Sequence, residues 1–249
     1  MKDLKKTILI TGGPTNEPID EVMKITNMST GSFSTALAEI FAENGYKVSL
    51  ILNRGVKFSP SSENIEVIPV ETTDEMLNAI KEQAEAVKFD AAIHAAAVGD
   101  YKADFSFLMK DMAQEIFDKM GEIKSSEDIL KIMTDPECKL DSSSKISSYQ
   151  SDLTVKLGLT PKIIGNLREW MPDALLLGCK LLENVPKEEL FEVARKLCEK
   201  NKMDYIMAND LADLRKGQPD RYLTDKTGFT GIQLKDAKTV FDLVNEKLK

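Results

Sequence analysis

The sequence predicts a doubly wound α/β fold on a mainly parallel sheet, and three observations lead there. Short, almost wholly apolar runs recur, as strands buried on both faces require. Segments with helical periodicity lie between them. Gly12-Gly13, Gly99-Asp100 and Asn209-Asp210 come close after three of the runs, where the ends of strands would be. The apolar runs are Thr7 to Ile10, Val48 to Leu52, Ile65 to Val70, Ala91 to Ala97, Ala174 to Cys179 and Tyr205 to Ala208. Between them Ala36, Leu37, Ile40 and Phe41 share one helical face, as do Leu77, Ile80, Ala84 and Val87, and again Leu190, Val193, Ala194 and Leu197. Strand and helix thus alternate, and the ligand crevice of such a sheet lies beyond the carboxyl ends of its strands.

Residues 104–144 break the alternation. The stretch is amphipathic, with helices expected around Leu108 to Met120 and Asp128 to Met133, and it turns polar at Asp141-Ser142-Ser143-Ser144. It reads as a helical insertion in a single domain spanning 1–249, ahead of a flexible loop with Lys145. Asp152 to Leu157 alternates polar and apolar residues, which predicts a strand with one solvated face, suited to a hairpin used in dimerisation. Leu214 to Arg221 is polar and loop-like, Thr224 to Gly228 reads as a turn, and a last strand is expected near Phe229 to Leu234. A final helix turns Val240, Phe241, Val244 and Leu248 inward.

Composition narrows the function. With 249 residues, 42% hydrophobic and 30% charged, the chain can bury a full core. A net charge of −8 argues against a nucleic-acid-coating surface. No apolar stretch is long enough to span a membrane, and Met1 to Thr7 lacks a signal-peptide core, so a cytoplasmic protein is expected. Cys138, Cys179 and Cys198 have no metal-ligand spacing, and His94 is the only histidine, which speaks against a zinc site or a Ser-His-Asp triad. His94 reads as a partly buried residue near a strand end, and Cys179 as a small buried one.

Several residues at predicted strand ends carry two readings each. Gly12-Gly13 is either a tight turn or a backbone bared for a phosphate. Ser29-Thr30-Gly31-Ser32 opens a helix, so a hydroxyl either caps it or leaves its N–H groups to an anion. Asn27 carries both an amide donor and an acceptor for a carboxylate or an amine. Asp100 follows the small residues Ala95, Ala96 and Ala97, against which a flat ligand would lie, and is otherwise a structural cap. Lys180 and Asn209 fall at equivalent strand ends, and Lys145 sits in the polar loop. Tyr222 and Lys226 have the spacing of a short-chain dehydrogenase pair, but Leu223-Thr224-Asp225 and Thr227-Gly228 predict a turn there.

Three motifs in order resemble the phosphopantothenoylcysteine synthetase family: Thr11-Gly12-Gly13-Pro14-Thr15-Asn16-Glu17-Pro18-Ile19-Asp20, Asn27-Met28-Ser29-Thr30-Gly31, and Ala96-Ala97-Val98-Gly99-Asp100-Tyr101. Lys145-Ile146 and Ala208-Asn209-Asp210 add to the likeness, which covers nearly the whole chain and matches 104–144 least. The resemblance implies a Rossmann-like, homodimeric enzyme joining 4'-phosphopantothenate to cysteine. CTP would activate the carboxylate as an acyl-cytidylate, with Mg²⁺ carried by the nucleotide's phosphates. It further implies Lys145 and Lys180 on the triphosphate, Gly12, Gly13, Asp100 and Asn209 at the nucleotide, and Asn27, Ser29, Gly31, Ala96 and Ala97 at the substrate.

Three departures stand out. Lys145-Ile146-Ser147-Ser148 replaces a Lys-x-Lys-Lys loop, Met23 stands where many members have arginine, and Gly178-Cys179-Lys180-Leu181 replaces a Gly-Phe-Ala-Ala type. The last is closer to ATP-using members, so ATP is the alternative nucleotide. A nucleotide-binding module and a nicotinamide-dependent reductase are the alternative functions. No fused flavin-binding decarboxylase domain is expected.

Overall fold

A computed structural model describes residues 6–218 and 220–249; the expectation for Met1 to Lys5 lies outside them. Along the chain run β1 (Thr7–Gly12), β2 (Asn16–Pro18), β3 (Lys24–Thr26), α1 (Ser32–Glu43), β4 (Lys47–Asn53), β5 (Ile65–Val70), α2 (Thr73–Ala86) and β6 (Ala91–His94). Next come β7 (Tyr101–Leu108), α3 (Met109–Asp118), α4 (Ser126–Thr134), β8 (Leu153–Leu159), α5 (Leu167–Trp170) and β9 (Leu175–Leu182). The chain closes with α6 (Lys187–Lys200), β10 (Tyr205–Asp210), α7 (Leu211–Arg215), β11 (Arg221–Asp225), β12 (Gly228–Leu234) and α8 (Ala237–Lys247). None of the helices among the described residues is long and apolar enough to cross a membrane.

Two compact units form. The first takes the described residues of Met1–Thr15 with Asn27–Val98 and Pro161–Lys249. Its 8-stranded sheet has the order β12-β11-β10-β9-β6-β1-β4-β5. Pairing is parallel from β5 through β10 and antiparallel across β11 and β12, so this is the doubly wound, Rossmann-like α/β fold. Ile8, Ile10, Ile93, Leu177 and Met207 face α1 and α8 on one side. Leu9, Ala92, Leu176 and Ile206 face α2, α5 and α6 on the other. Strand residues of both parities are therefore buried, which is why the runs read as continuously apolar. Helix starts follow local chemistry: the Thr72 hydroxyl accepts the Glu75 N–H at 3.1 Å, and Asp236 with Thr239 forms a reciprocal capping box on α8. Within α1, Ala36 is exposed, and Leu37, Ala38, Phe41 and Ala42 make the buried face.

The expected strand from Ala91 to Ala97 ends at His94. Beyond it the backbone bonds to the segment following β1 instead: Ala97 N–H donates to the Gly13 carbonyl at 2.9 Å, and Thr15 N–H to the Ala97 carbonyl at 3.3 Å. Arg221 to Asp225, read as loop and turn, is a strand because Leu223 and Thr224 are fully buried against the sheet. Tyr222 accordingly sits in β11 and Lys226 in the turn after it.

The second unit comprises Asn16–Thr26 and Gly99–Thr160, and the irregular segment 104–144 lies inside it. Its β7 pairs antiparallel with β8, with an irregularity between Ala103 and Phe105. The helical pattern begins only after β7, at Met109, whereas the alternating Asp104-Phe105-Ser106-Phe107 extends the hairpin. β2 and β3 form a small antiparallel ladder that the sequence motif concealed.

Candidate active site at the carboxyl edge of the sheet

In the first unit the strand order reverses between β1 and β6, and this switch point is where doubly wound sheets bind ligands. Gly13 has a φ of 76° and Gly31, the N-cap of α1, a φ of 73°, a region in which side chains are strained. A Cβ on Gly31 would lie 3.4 Å from the Gly13 Cα, so the two glycines bring the start of α1 against the turn after β1. Gly31, the N-cap, has no side chain to cap α1, and the Thr30 hydroxyl accepts the Ser32 N–H at 3.4 Å. Of the two readings of Ser29 to Ser32, a hydroxyl does engage the first N–H of the helix, and the next two, of Phe33 and Ser34, are left to the anion reading. The N–H groups of Phe33 and Ser34 and the positive end of a 12-residue helix face the edge, as phosphate sites require. Ser29 is half-buried in the loop before the helix.

Asn27 Nδ2 donates to the carbonyls of Val98 at 3.0 Å and Ala97 at 3.3 Å. The amide expected to donate to a carboxylate thus ties its own loop to the turn of Ala96 and Ala97, building one wall of the crevice.

Register places the remaining first-unit residues. Thr11, His94 and Gly178 are aligned across β1, β6 and β9, and Gly178 aligns with Ile206 on β10. Two residues further on lie Gly13, Ala96, Lys180 and Ala208. Because side chains alternate along a strand, Lys180 shares the α2 and α6 face with His94 and Ala208. Asn209, one residue beyond Ala208, takes the opposite face with Cys179. Lys180 and Asn209, grouped together from sequence, therefore serve opposite faces of the edge. On the Asn209 side the Arg221 guanidinium lies 3.7 Å from the Phe33 ring centroid. Burial lowers the Arg221 pKa and pushes the Cys179 thiol up to about 11, so Cys179 stays protonated and is no nucleophile. No motif spacing marks Arg221, which follows a polar loop.

His94 is 8% exposed. Its Nδ1 lies 2.8 Å from the Thr11 hydroxyl, and burial lowers its pKa to about 4, so the imidazole is neutral.

Asp100 and Lys145 belong to the second unit. Asp100 is exposed, and its carbonyl accepts the Thr160 N–H at 3.1 Å. Lys145 is exposed beside Ile146, whose side chain is buried and whose N–H donates to Asp20 Oδ2 at 2.8 Å. The same carboxylate accepts from Val22 at 2.7 Å and Met23 at 2.6 Å, and these hydrogen bonds hold its pKa down, the one from Met23 contributing most. Asp20 was visible in the first motif, but not this anchoring of the Lys145 loop.

A family model described as the DNA/pantothenate metabolism flavoprotein C-terminal domain matches residues 4–140, over half of the chain. The chain belongs to this family. The likeness to phosphopantothenoylcysteine synthetases drawn from the motifs is thereby borne out. Among relatives of this flavoprotein C-terminal domain is the coenzyme A biosynthesis bifunctional protein CoaBC of Thermococcus kodakarensis, 32% identical over 83% of this chain and 41% of that protein. The protein of the same description from Methanocaldococcus jannaschii is 29% identical over 82% of this chain and 40% of that one. The chain thus spans about two-fifths of these curated relatives, 41% and 40%. The crystal structure of a DNA/pantothenate metabolism flavoprotein from Streptococcus pneumoniae has a TM-score of 0.78 and 28% identity, over 97% of this chain and 98% of that one.

Proposed function

We propose that this protein is a phosphopantothenate–cysteine ligase of coenzyme A biosynthesis, using CTP. The observation that carries the reading is the N-terminus of α1, set by Gly13 and Gly31 against the switch point of a chain in this family. The relatives named for coenzyme A biosynthesis support the substrate class. In the first half-reaction a 4'-phosphopantothenate carboxylate oxygen attacks the α-phosphorus of CTP; the bond to the β-phosphate bridge breaks and pyrophosphate leaves. In the second the cysteine nitrogen attacks the acyl carbon, CMP leaves and the amine proton passes to solvent. The first unit's part is preorganised charge, with α1 N–H groups and Lys180 for phosphates and Asn209 for the nucleoside; by the family likeness the second unit adds Lys145 for phosphate and Asp100 for the nucleoside. Mg²⁺ would arrive on the nucleotide's phosphates; among the described residues no group of three or more His, Cys, Asp or Glu is gathered to hold it.

Pyrophosphate release that requires 4'-phosphopantothenate, compared between CTP and ATP, tests the reading. The Gly178-Cys179-Lys180-Leu181 segment is what keeps ATP as the second nucleotide. No release with either would sink the ligase assignment.

Asn27→Asp is expected to slow amide formation about tenfold more than pyrophosphate release, because a carboxylate would repel the Ala97 and Val98 carbonyls that the amide now holds. Rapid-quench separation of the two steps checks this; equal slowing would count against it.

A cytoplasmic homodimer is part of the proposal. Tyr101 and Leu159 pair across the β7–β8 hairpin with 52% and 69% of their surfaces exposed, an apolar pair that a second copy would cover. Leu159→Asp should shift sedimentation to the monomer at micromolar concentration; an unchanged profile would exclude the hairpin as the interface.

A further inference from the structure

The hydroxyl of Thr11 bridges two groups. It accepts the Ala96 N–H at 3.3 Å and lies 2.8 Å from His94 Nδ1. Thr11 is fully buried, and among the described residues its hydroxyl proton has no acceptor other than the ring nitrogen, so the proton is assigned to that contact. Nδ1 is then the acceptor of a neutral imidazole, and the ring proton resides on Nε2. His94 is more than nine-tenths buried, yet Nε2 has no protein hydrogen-bond partner among the described residues and is not sealed from solvent. Solvent can satisfy this donor in the free protein, and a ligand oxygen can take the same place.

Lys180 stands nearby on the same face. It lies two residues beyond Gly178, the register partner of His94. With a rise of about 3.3 Å per residue and strands about 4.8 Å apart, the two Cα atoms are about 8 Å apart, within reach of a shared ligand for a lysine stem. Lys180 is half-buried and forms no ion pair among the described residues. On this row Gly178 contributes no side chain, and beyond it Ala96 contributes only a methyl group.

We propose that His94 and Lys180 form an oxyanion-binding pair, the Nε2–H and the ammonium group donating to one ligand oxygen. The neutral imidazole gives direction, and the lysine gives charge. Burial keeps His94 unprotonated down to about 4, so the donor persists through the working pH range. The shared chemistry is an anionic oxygen, supplied by a nucleotide phosphate or by the substrate carboxylate. The pair deepens the ligase reading and rests on it only for the anion's identity.

His94 is the chain's one histidine, so a long-range ¹H–¹⁵N imidazole spectrum of the intact protein contains its signal alone. The free protein should show the Nε2–H tautomer from about pH 5 upward. Titration with inorganic pyrophosphate should shift Nε2 saturably, and Lys180→Ala should weaken that titration about tenfold. A shift with 4'-phosphopantothenate and none with pyrophosphate would support the pair and assign the oxygen to the carboxylate. An Nδ1–H tautomer, an Nε2 signal unmoved by both anions, or unchanged affinity in Lys180→Ala would overturn the proposal. Thr11→Val should mix the tautomers, while Thr11→Ser should retain Nε2–H; failure of either would also count against it. Pyrophosphate release is measured alongside. A shift without turnover keeps the pair and removes the ligase reading, and turnover without a shift does the reverse.

Discussion

Gly12→Ala is expected to lower unfolding stability by about 2 to 3 kcal/mol and to cut turnover by about 10²-fold or more. A methyl group on Gly12 would overlap both Oγ and Cβ of Ser34 in α1 and come within 3.2 Å of Leu52 Cδ1. Rotating the Ser34 hydroxyl away would sacrifice its 2.7 Å donation to the Gly31 carbonyl without relieving the overlap at Cβ. The start of α1 must therefore move off β1, taking with it the N–H groups assigned to phosphate. Gly12 is a packing requirement with a functional consequence, whereas at Gly13 and Gly31 a positive φ is added to close contacts with Val56. Combining Gly12→Ala with Ser34→Gly removes the overlap and should recover most of the stability, less about 1 kcal/mol for glycine inside a helix. Urea denaturation and steady-state kinetics check both variants. Wild-type behaviour in Gly12→Ala would show that α1 need not approach β1 so closely.

How legible this molecule was in its sequence depended on the range of the interaction. The parallel strands and their helices showed clearly, because burial on two faces writes apolar residues into consecutive positions. Boundaries failed where hydrogen bonding is non-local: Ala95 to Ala97 look like more strand, yet Ala97 bonds to Gly13 and Thr15. β11 was lost because Arg221 and Tyr222 are polar at their tips, although Leu223 and Thr224 are buried. At the site, Asn27 and the glycines were visible from their positions at predicted strand and helix ends. What they contact was not. Alternation shows that Lys180 and Asn209 face oppositely only once the sheet register is known. His94 looked like a strand-end residue, and its contact with Thr11, which bears on where the ring proton sits, is made across the sheet and leaves no mark in the sequence.

Asp20→Ala should reduce pyrophosphate formation by about 10²-fold, because the loss acts through the position of Lys145. One carboxylate gathers the N–H groups of Val22, Met23 and Ile146, so it ties the turn between β2 and β3 to the loop carrying Lys145. Its removal orphans three backbone donors at once and releases Ile146, whose side chain is 8% exposed. Asp20→Asn should be intermediate, since the amide keeps one acceptor oxygen and turns its nitrogen toward the donors. The pH dependence has a definite sign. The folded-state pKa lies below the usual aspartate value of 3.8, so the carboxylate's contribution is complete above that value and is lost as the pH falls through the lower folded-state pKa. Neutral assays therefore read the anchored loop. A double-mutant cycle with Lys145→Ala separates positioning from mere destabilisation. If Asp20 acts through Lys145, the double variant is hardly slower than the worse single variant while melting like Asp20→Ala. Fully additive losses in turnover would mean that Asp20 serves the fold of the second unit and leaves Lys145 where it was.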